Sequence, residues 1–291
     1  MMSLHRKLGK TYTPADQQGF LGPGHVARAV IQVPYPDSDP FIMLMDDMLD
    51  KKDNIPVGGP HPHAGFETVT LMLEGEMGDE KHTMKAGDLQ LMTAGSGIVH
   101  TETIDKEAKM RILQLWLNLP KKDRQALPRV QDIALEHVPT KSEEGLVLRL
   151  YSGSLTGLTS PIKNYTPFIL ADITLQPGAT TVQDIPASYT AFLYAIDGNV
   201  LVGNEARQLK TNQVGWLDRL SEEGTSQLRL EAGETGARAI LYAGQPQNDE
   251  IVSHGPFIAD TEEDIRRLYR EYRNGEMNHI SMVEEEQKMA W

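Results

Sequence analysis

The sequence predicts an all-β protein made of two similar halves, and three observations carry that expectation. From about residue 26 onward, short β-branched or aliphatic runs alternate with Gly, Pro, Asn and Asp. Short strands at regular spacing, joined by such turn residues, belong to sandwiches and barrels. Helical periodicity is scarce before residue 261. Finally, a strand–turn–strand pattern recurs along the chain at a nearly constant offset.

In the first half the runs fall at 28–33, 41–46, 67–73, 88–92 and 111–117. In the second they fall at 146–153, 168–175, 191–196, 200–202, 228–233 and 238–244. Gly75 to Gly198 is an offset of 123, Lys85 to Lys210 of 125, and Pro120 to Pro246 of 126. Two duplicated lobes are therefore expected, 1–140 and 141–291, joined through the charged stretch 121–139. Pro128 would break any long helix in that stretch. The clearest helix follows Thr261, whose hydroxyl can cap an early backbone N–H. Ile265, Leu268, Tyr269 and Tyr272 then share one face, and Gly275 is a natural stop. The apolar stripe is expected to pack on the C-terminal lobe. The tail 284–291 reads as a solvated extension, in which the final Trp291 is out of character.

Composition narrows the chemistry. The 291 residues include 28 Lys+Arg against 41 Asp+Glu, a net charge of −13, and no cysteine. A disulfide framework, a thiolate nucleophile, an iron–sulfur cluster and a Cys-based zinc site are all excluded. The N-terminus lacks the apolar segment of a signal peptide, and the apolar runs are too short to span a bilayer. No basic cluster suits direct nucleic-acid binding. The expectation is a cytoplasmic protein with neither a membrane nor a nucleic-acid partner. Any metal must be held by His, Asp or Glu.

Of the nine histidines, His61 and His63 are followed after 36 residues by His100, with Glu102 two positions on. On an extended strand, residues i and i+2 project to the same face. If the two segments face each other across a small barrel, three imidazoles and one carboxylate converge inside it. Such a donor set suits one divalent transition ion, with Fe(II) expected first on availability and ligand type and Mn, Ni, Cu or Zn compatible. Glu67 has the parity of His61 and His63, so it is a candidate fourth ligand, orienting group or catalytic base. His5, His82, His137, His254 and His279 read as ordinary histidines. The glycines around these motifs form no phosphate-binding loop.

The segment 60-PHPHAGFETVTLMLEG-75, followed by 86-AGDLQLMTAGSGIVHTE-102, resembles the pirin family of bicupins. The segment 255-GPFIADTEEDI-265 resembles the family's C-terminal signature, so the likeness covers most of the chain. It implies two stacked cupin-type antiparallel β-barrels with a short C-terminal helix and a metal, usually iron, in the N-terminal barrel. Carried over residue by residue, the ligands are His61, His63, His100 and Glu102. The repeat places Asp184 and Pro186 where His61 and His63 sit, which implies a second barrel lacking metal ligands. Two positions depart from the pattern: Ala64 and Ser96 stand where many relatives carry a basic residue. The loop around 76–84 is also shorter than in eukaryotic members.

The resemblance further implies an activity of the quercetin 2,3-dioxygenase type on a flavonol or similar enolic aromatic. Glu67 or Glu102 would then act as proton acceptor. Its alternative implication is a redox-sensing iron protein that regulates a protein partner, either a transcription factor or a metabolic enzyme.

Overall fold

The apolar runs of the first half form strands of one large, mostly antiparallel sheet, whose central strand is buried on both faces. The computed structural model of the chain describes residues 4–78 and 83–291. Within the 76–84 loop, residues 79–82, His82 among them, lie outside the described residues. The strands of this half are β1 (His25–Ala29), β2 (Phe41–Lys51), β3 (Pro60–His63), β4 (Phe66–Glu74), β5 (Leu89–Thr93), β6 (Ile98–Thr101), β7 (Ala108–Asn118) and β8 (Arg129–Ile133). Side by side, the sheet runs β8–β5–β4–β7–β2–β1, while β3 and β6 pair separately as a two-stranded ribbon.

The inner face of the sheet follows from its register. Ile112 lies opposite Asp47 and Met72, Gln114 opposite Met45 and Thr70, and Met110 opposite Leu49. Cross-strand partners share a face, and Leu49, Met72, Met110 and Ile112 join Met84 and Ile104 in one apolar cluster. At the β3–β4 junction, Gly65 adopts φ +87°. A Cβ there would lie 1.9 Å from the Ile258 carbonyl oxygen, so only glycine fits. The buried Arg124 guanidinium braces this turn by donating to Asn118 Oδ1 at 2.8 Å, Asp260 Oδ1 at 2.7 Å and the Gly65 carbonyl at 3.3 Å.

The second-half strands form another sheet. It includes β9 (Leu146–Ser152), β10 (Phe168–Leu175), β11 (Thr180–Pro186), β12 (Thr190–Val202) and β13 (Thr225–Gly244). The runs at 228–233 and 238–244 prove to be one strand, β13, which pairs with β10, β11 and β12. Leu and Ala side chains from these strands close an apolar core. On β11 the buried positions are Thr181, Gln183 and Ile185, and Asp184 is exposed.

The compact units are not split by a single cut near residue 140. One comprises Met1–Pro14 with Val138–Pro246, and the other Ala15–His137 with Gln247–Trp291. The helix α1 (Glu262–Arg273) thus belongs with the His61-bearing unit, where Ile265 and Leu268 cluster with Ala64, Phe257 and Ala259. The expectation that it packs on the C-terminal lobe failed because sequence order does not report where a long return segment docks. Thr261 caps α1 as predicted, its hydroxyl accepting from the Asp264 N–H at 3.1 Å.

Two further expectations need correction. The stretch 121–139 contributes β8 to the first sheet and is more than a connector. The tail is no free extension either: β14 (Lys288–Ala290) lies parallel to β8, and the Trp291 N–H donates to the Asp132 carbonyl at 3.0 Å. Backbone pairing at a sheet edge does not depend on side-chain patterning, so polarity alone did not reveal either element. No helix among the described residues is long and apolar enough to cross a membrane.

Candidate metal centre

The ribbon of β3 and β6 presents the histidines. Alternation puts His61 and His63 on one face, and the antiparallel register sets His100 directly opposite His61. The two segments are therefore hydrogen-bonded neighbours, whereas sequence parity alone suggested that they face each other across a barrel. The ring centroids of His61 and His100 are 4.2 Å apart, and His63 is 4.9 Å from each. On the sheet side, Trp116 and Phe66 stack on each other at 4.3 Å, and both rings stand 5.2 Å from His63.

The hydrogen bonds define where the lone pairs point. His61 Nδ1 lies 2.9 Å from the Gly59 carbonyl oxygen, which can only accept, so Nδ1 carries the proton and Nε2 is bare. That bare Nε2 sits 2.7 Å from His100 Nε2. Among the described residues, no hydrogen bond of sound geometry reaches either ring nitrogen of His63. Burial holds the His63 pKa down at about 3, helped by the His61 imidazole and partly opposed by the Pro256 backbone. Burial likewise depresses His100 to about 2, with His63, His61 and His279 adding to it. Three neutral imidazoles whose nitrogens converge could hold a cation. Two nitrogens bound to one transition ion at right angles lie about 3 Å apart, close to the His61–His100 separation.

Glu102 stands beside the three imidazoles, just beyond β6. Its Oε2 lies 3.9 Å from His61 Nε2, and its Oε1 lies 3.9 Å from His100 Nδ1. Gln114 Nε2 donates to Oε1 at 3.4 Å. Burial raises the Glu102 pKa, while His61 and the Gln114 bond oppose it. The three imidazoles alone place their ligand atoms within 4.8 Å of one another; the carboxylate stands beside them.

Glu67 does not join this group. Thr93 donates its hydroxyl to Glu67 Oε1 at 2.7 Å, and Arg129 lies 3.6 Å from the same oxygen. Parity counted through residues 61–67 assumes an unbroken strand, and Gly65 breaks it. Phe66 takes the His63 side instead, which turns Glu67 to the opposite face.

Beyond Glu102 lies a small cavity of about 30 Å³. Leu21, Leu49, Met77, Ile104, Met110 and Ile112 line it, with Glu102, Gln114, His25 and Asp47 as its polar groups. Sequence reasoning missed Gln114 and Trp116, although both sit on a predicted strand with alternate positions inward. It also missed His279, whose Nε2 lies 2.9 Å from Thr101 Oγ1, next to His100.

A family model described as Pirin matches residues 26–117, and one described as the Pirin C-terminal cupin domain matches residues 170–278. Human pirin is 35% identical over 285 residues, covering 94% of each chain. The chain belongs to the pirin family. A Pseudomonas aeruginosa pirin relative, named as a candidate quercetin 2,3-dioxygenase, is 37% identical over 269 residues, or 87% of this chain and 92% of that one. The crystal structure of a quercetin 2,3-dioxygenase from Acinetobacter baumannii is 26% identical, with a TM-score of 0.82 over 94% of this chain and 98% of the other. Both halves are thus pirin cupin domains, as the sequence resemblance implied.

Proposed function

We propose that this pirin binds one divalent transition ion, Fe(II) first, through His61, His63, His100 and Glu102. We further propose that it acts on flavonols or similar enolic aromatics as a quercetin 2,3-dioxygenase-type oxygenase. The observation that carries the reading is the apposition of two neutral imidazole nitrogens at 2.7 Å, beside a largely apolar cavity. The names borne by the Pseudomonas and Acinetobacter relatives support the substrate class.

When bound, the ion supplies Lewis acidity and an electron path between an enolate oxygen and dioxygen. The chain's own residues do the rest. Gly59 fixes the His61 tautomer so that Nε2 faces inward. Trp116 and Phe66 keep water from the buried side of His63. Glu102 stands between the imidazoles and the cavity, where its carboxylate takes the proton of an incoming enolic hydroxyl. Burial makes it a stronger base than an ordinary carboxylate.

The test is elemental analysis of freshly purified protein, followed by oxygen uptake with quercetin. Metal at one equivalent with uptake that His61→Ala abolishes supports the proposal. Full metal occupancy without uptake would overturn the oxygenase reading and leave a metal-dependent binding role.

A further inference from the structure

A groove elsewhere on the unit that carries His61 shares no residue with the cavity beside Glu102, and the chemistry above makes no use of it. It encloses about 480 Å³, room for several side chains. Three segments wall it: the turn before β6, the loop leading into β8, and α1 with the stretch that follows it. Leu127 and Met282 are 69% and 67% exposed, and both line this one groove together with Pro128 and Met277. Single exposed apolar side chains are ordinary, but a group of them on one concavity marks a contact surface.

The charge of the lining is one-sided. Arg267 supplies a cation, but Glu271 engages it at 2.8 Å and Asp264 at 3.6 Å. Glu276 and Glu284 also line the groove, and among the described residues no cation lies within ion-pair reach of either. The side-chain amides of Gln125 and Asn278 have no hydrogen-bond partner among the described residues, and each can both donate and accept. Uncompensated carboxylates repel phosphate, so neither a nucleic acid nor an anionic membrane surface suits this face. A second copy of the chain, at a net charge of −13, brings more negative charge. Complementarity calls instead for aliphatic and cationic side chains together, on a main chain whose peptide groups can meet the amides.

We propose that this groove docks a short segment of a partner protein in which an aliphatic side chain is flanked by lysine or arginine. The aliphatic side chain covers Leu127 and Met282, and the cations pair with Glu276 and Glu284. Covering the exposed apolar side chains supplies most of the affinity, and the carboxylates select the sign of the partner's charge. The docking needs no metal and is independent of the flavonol reading.

Random short peptides displayed on phage and selected on the folded, full-length chain test it. Recovered sequences should be enriched in Lys and Arg around a Leu, Ile, Val or Met. A synthetic copy of a recovered peptide, titrated by fluorescence anisotropy, should bind Leu127→Ser/Met282→Ser at least about tenfold more weakly than wild type. Glu276→Lys/Glu284→Lys should weaken it about fivefold at low ionic strength, and the loss should shrink as salt is raised. All four side chains are exposed, so thermal unfolding of both variants should match wild type. No recovered binder, binders without cationic enrichment, or an affinity unchanged in either variant would overturn the proposal. A wild-type dimer in sedimentation that Leu127→Ser/Met282→Ser dissociates would also overturn it, in favour of a second copy as occupant.

Discussion

His61 and His100 face each other across a two-stranded ribbon with their Nε2 atoms 2.7 Å apart. The His61 tautomer leaves its nitrogen without a proton, and burial keeps His100 neutral. At that distance either a proton on His100 Nε2 or a cation lies between the two nitrogens. Replacing either histidine by alanine should lower affinity for a divalent transition ion by at least about 100-fold, since loss of an outer partner alone costs 10- to 100-fold. Competition titration against a chelator measures this.

Metal removal should also lower thermal stability. A ligand present at about 1,000 times its Kd stabilises the native state by about 4 kcal/mol. Differential scanning calorimetry before and after chelation should show a fall in Tm of several degrees, absent in His61→Ala.

The apo-protein should lose stability in acid over a defined window. The folded pKa values of His63 and His100, about 3 and about 2, lie below the ordinary value of 6.5. Below pH 6.5 the unfolded chain takes up protons that the folded chain refuses. This contribution is fully present above that pH and is lost progressively as the pH falls toward 3. The Tm of apo-protein followed from pH 8 to pH 4 should decline less steeply in His63→Gln.

Gln114 should act through Glu102. Gln114→Leu removes the donor 3.4 Å from Glu102 Oε1 and lets the carboxylate swing. Metal affinity should fall about tenfold, with ordinary folding by circular dichroism. Unchanged affinity would show that Glu102 needs no orienting partner.

The segment after α1 braces the strand that carries His100. The Val99 N–H donates to the Asn278 carbonyl at 2.9 Å, His279 meets Thr101, and Ile280 packs against the cluster containing Met92 and Ile98. Ending the chain at Gly275 should loosen β6 and weaken metal binding by at least about tenfold, the usual cost of lost ligand support. Hydrogen exchange at Val99 should rise in parallel.

Glu67→Gln separates the two carboxylates proposed from sequence. It should cost about 1–3 kcal/mol of stability by weakening a buried charged contact. Metal content should stay at the wild-type level, because Thr93 and Arg129 hold Glu67 on the other face. Depletion of metal in this variant would reverse that placement.

Local patterning made much of the fold legible. Aliphatic and β-branched runs between turn residues located nearly every long strand, and Thr261 marked the start of α1 to the residue. The His-Pro-His spacing exposed the same-face pair because period-two geometry is a property of the extended backbone itself. Local patterning failed where conformation broke the count, as at Gly65, and where pairing used backbone alone, as in β8 and β14.

The absence of cysteine, the acidic charge and the two histidine motifs were determined by the sequence alone, and they require a site of imidazole and carboxylate. Tertiary structure decided which carboxylate stands there. Glu102 and Glu67 are equivalent by composition and parity, but a glycine at φ +87° rotates one of them away. It also decided that Gln114, Asp47 and His25 share a cavity, because strand register alone sets which distant residues become neighbours.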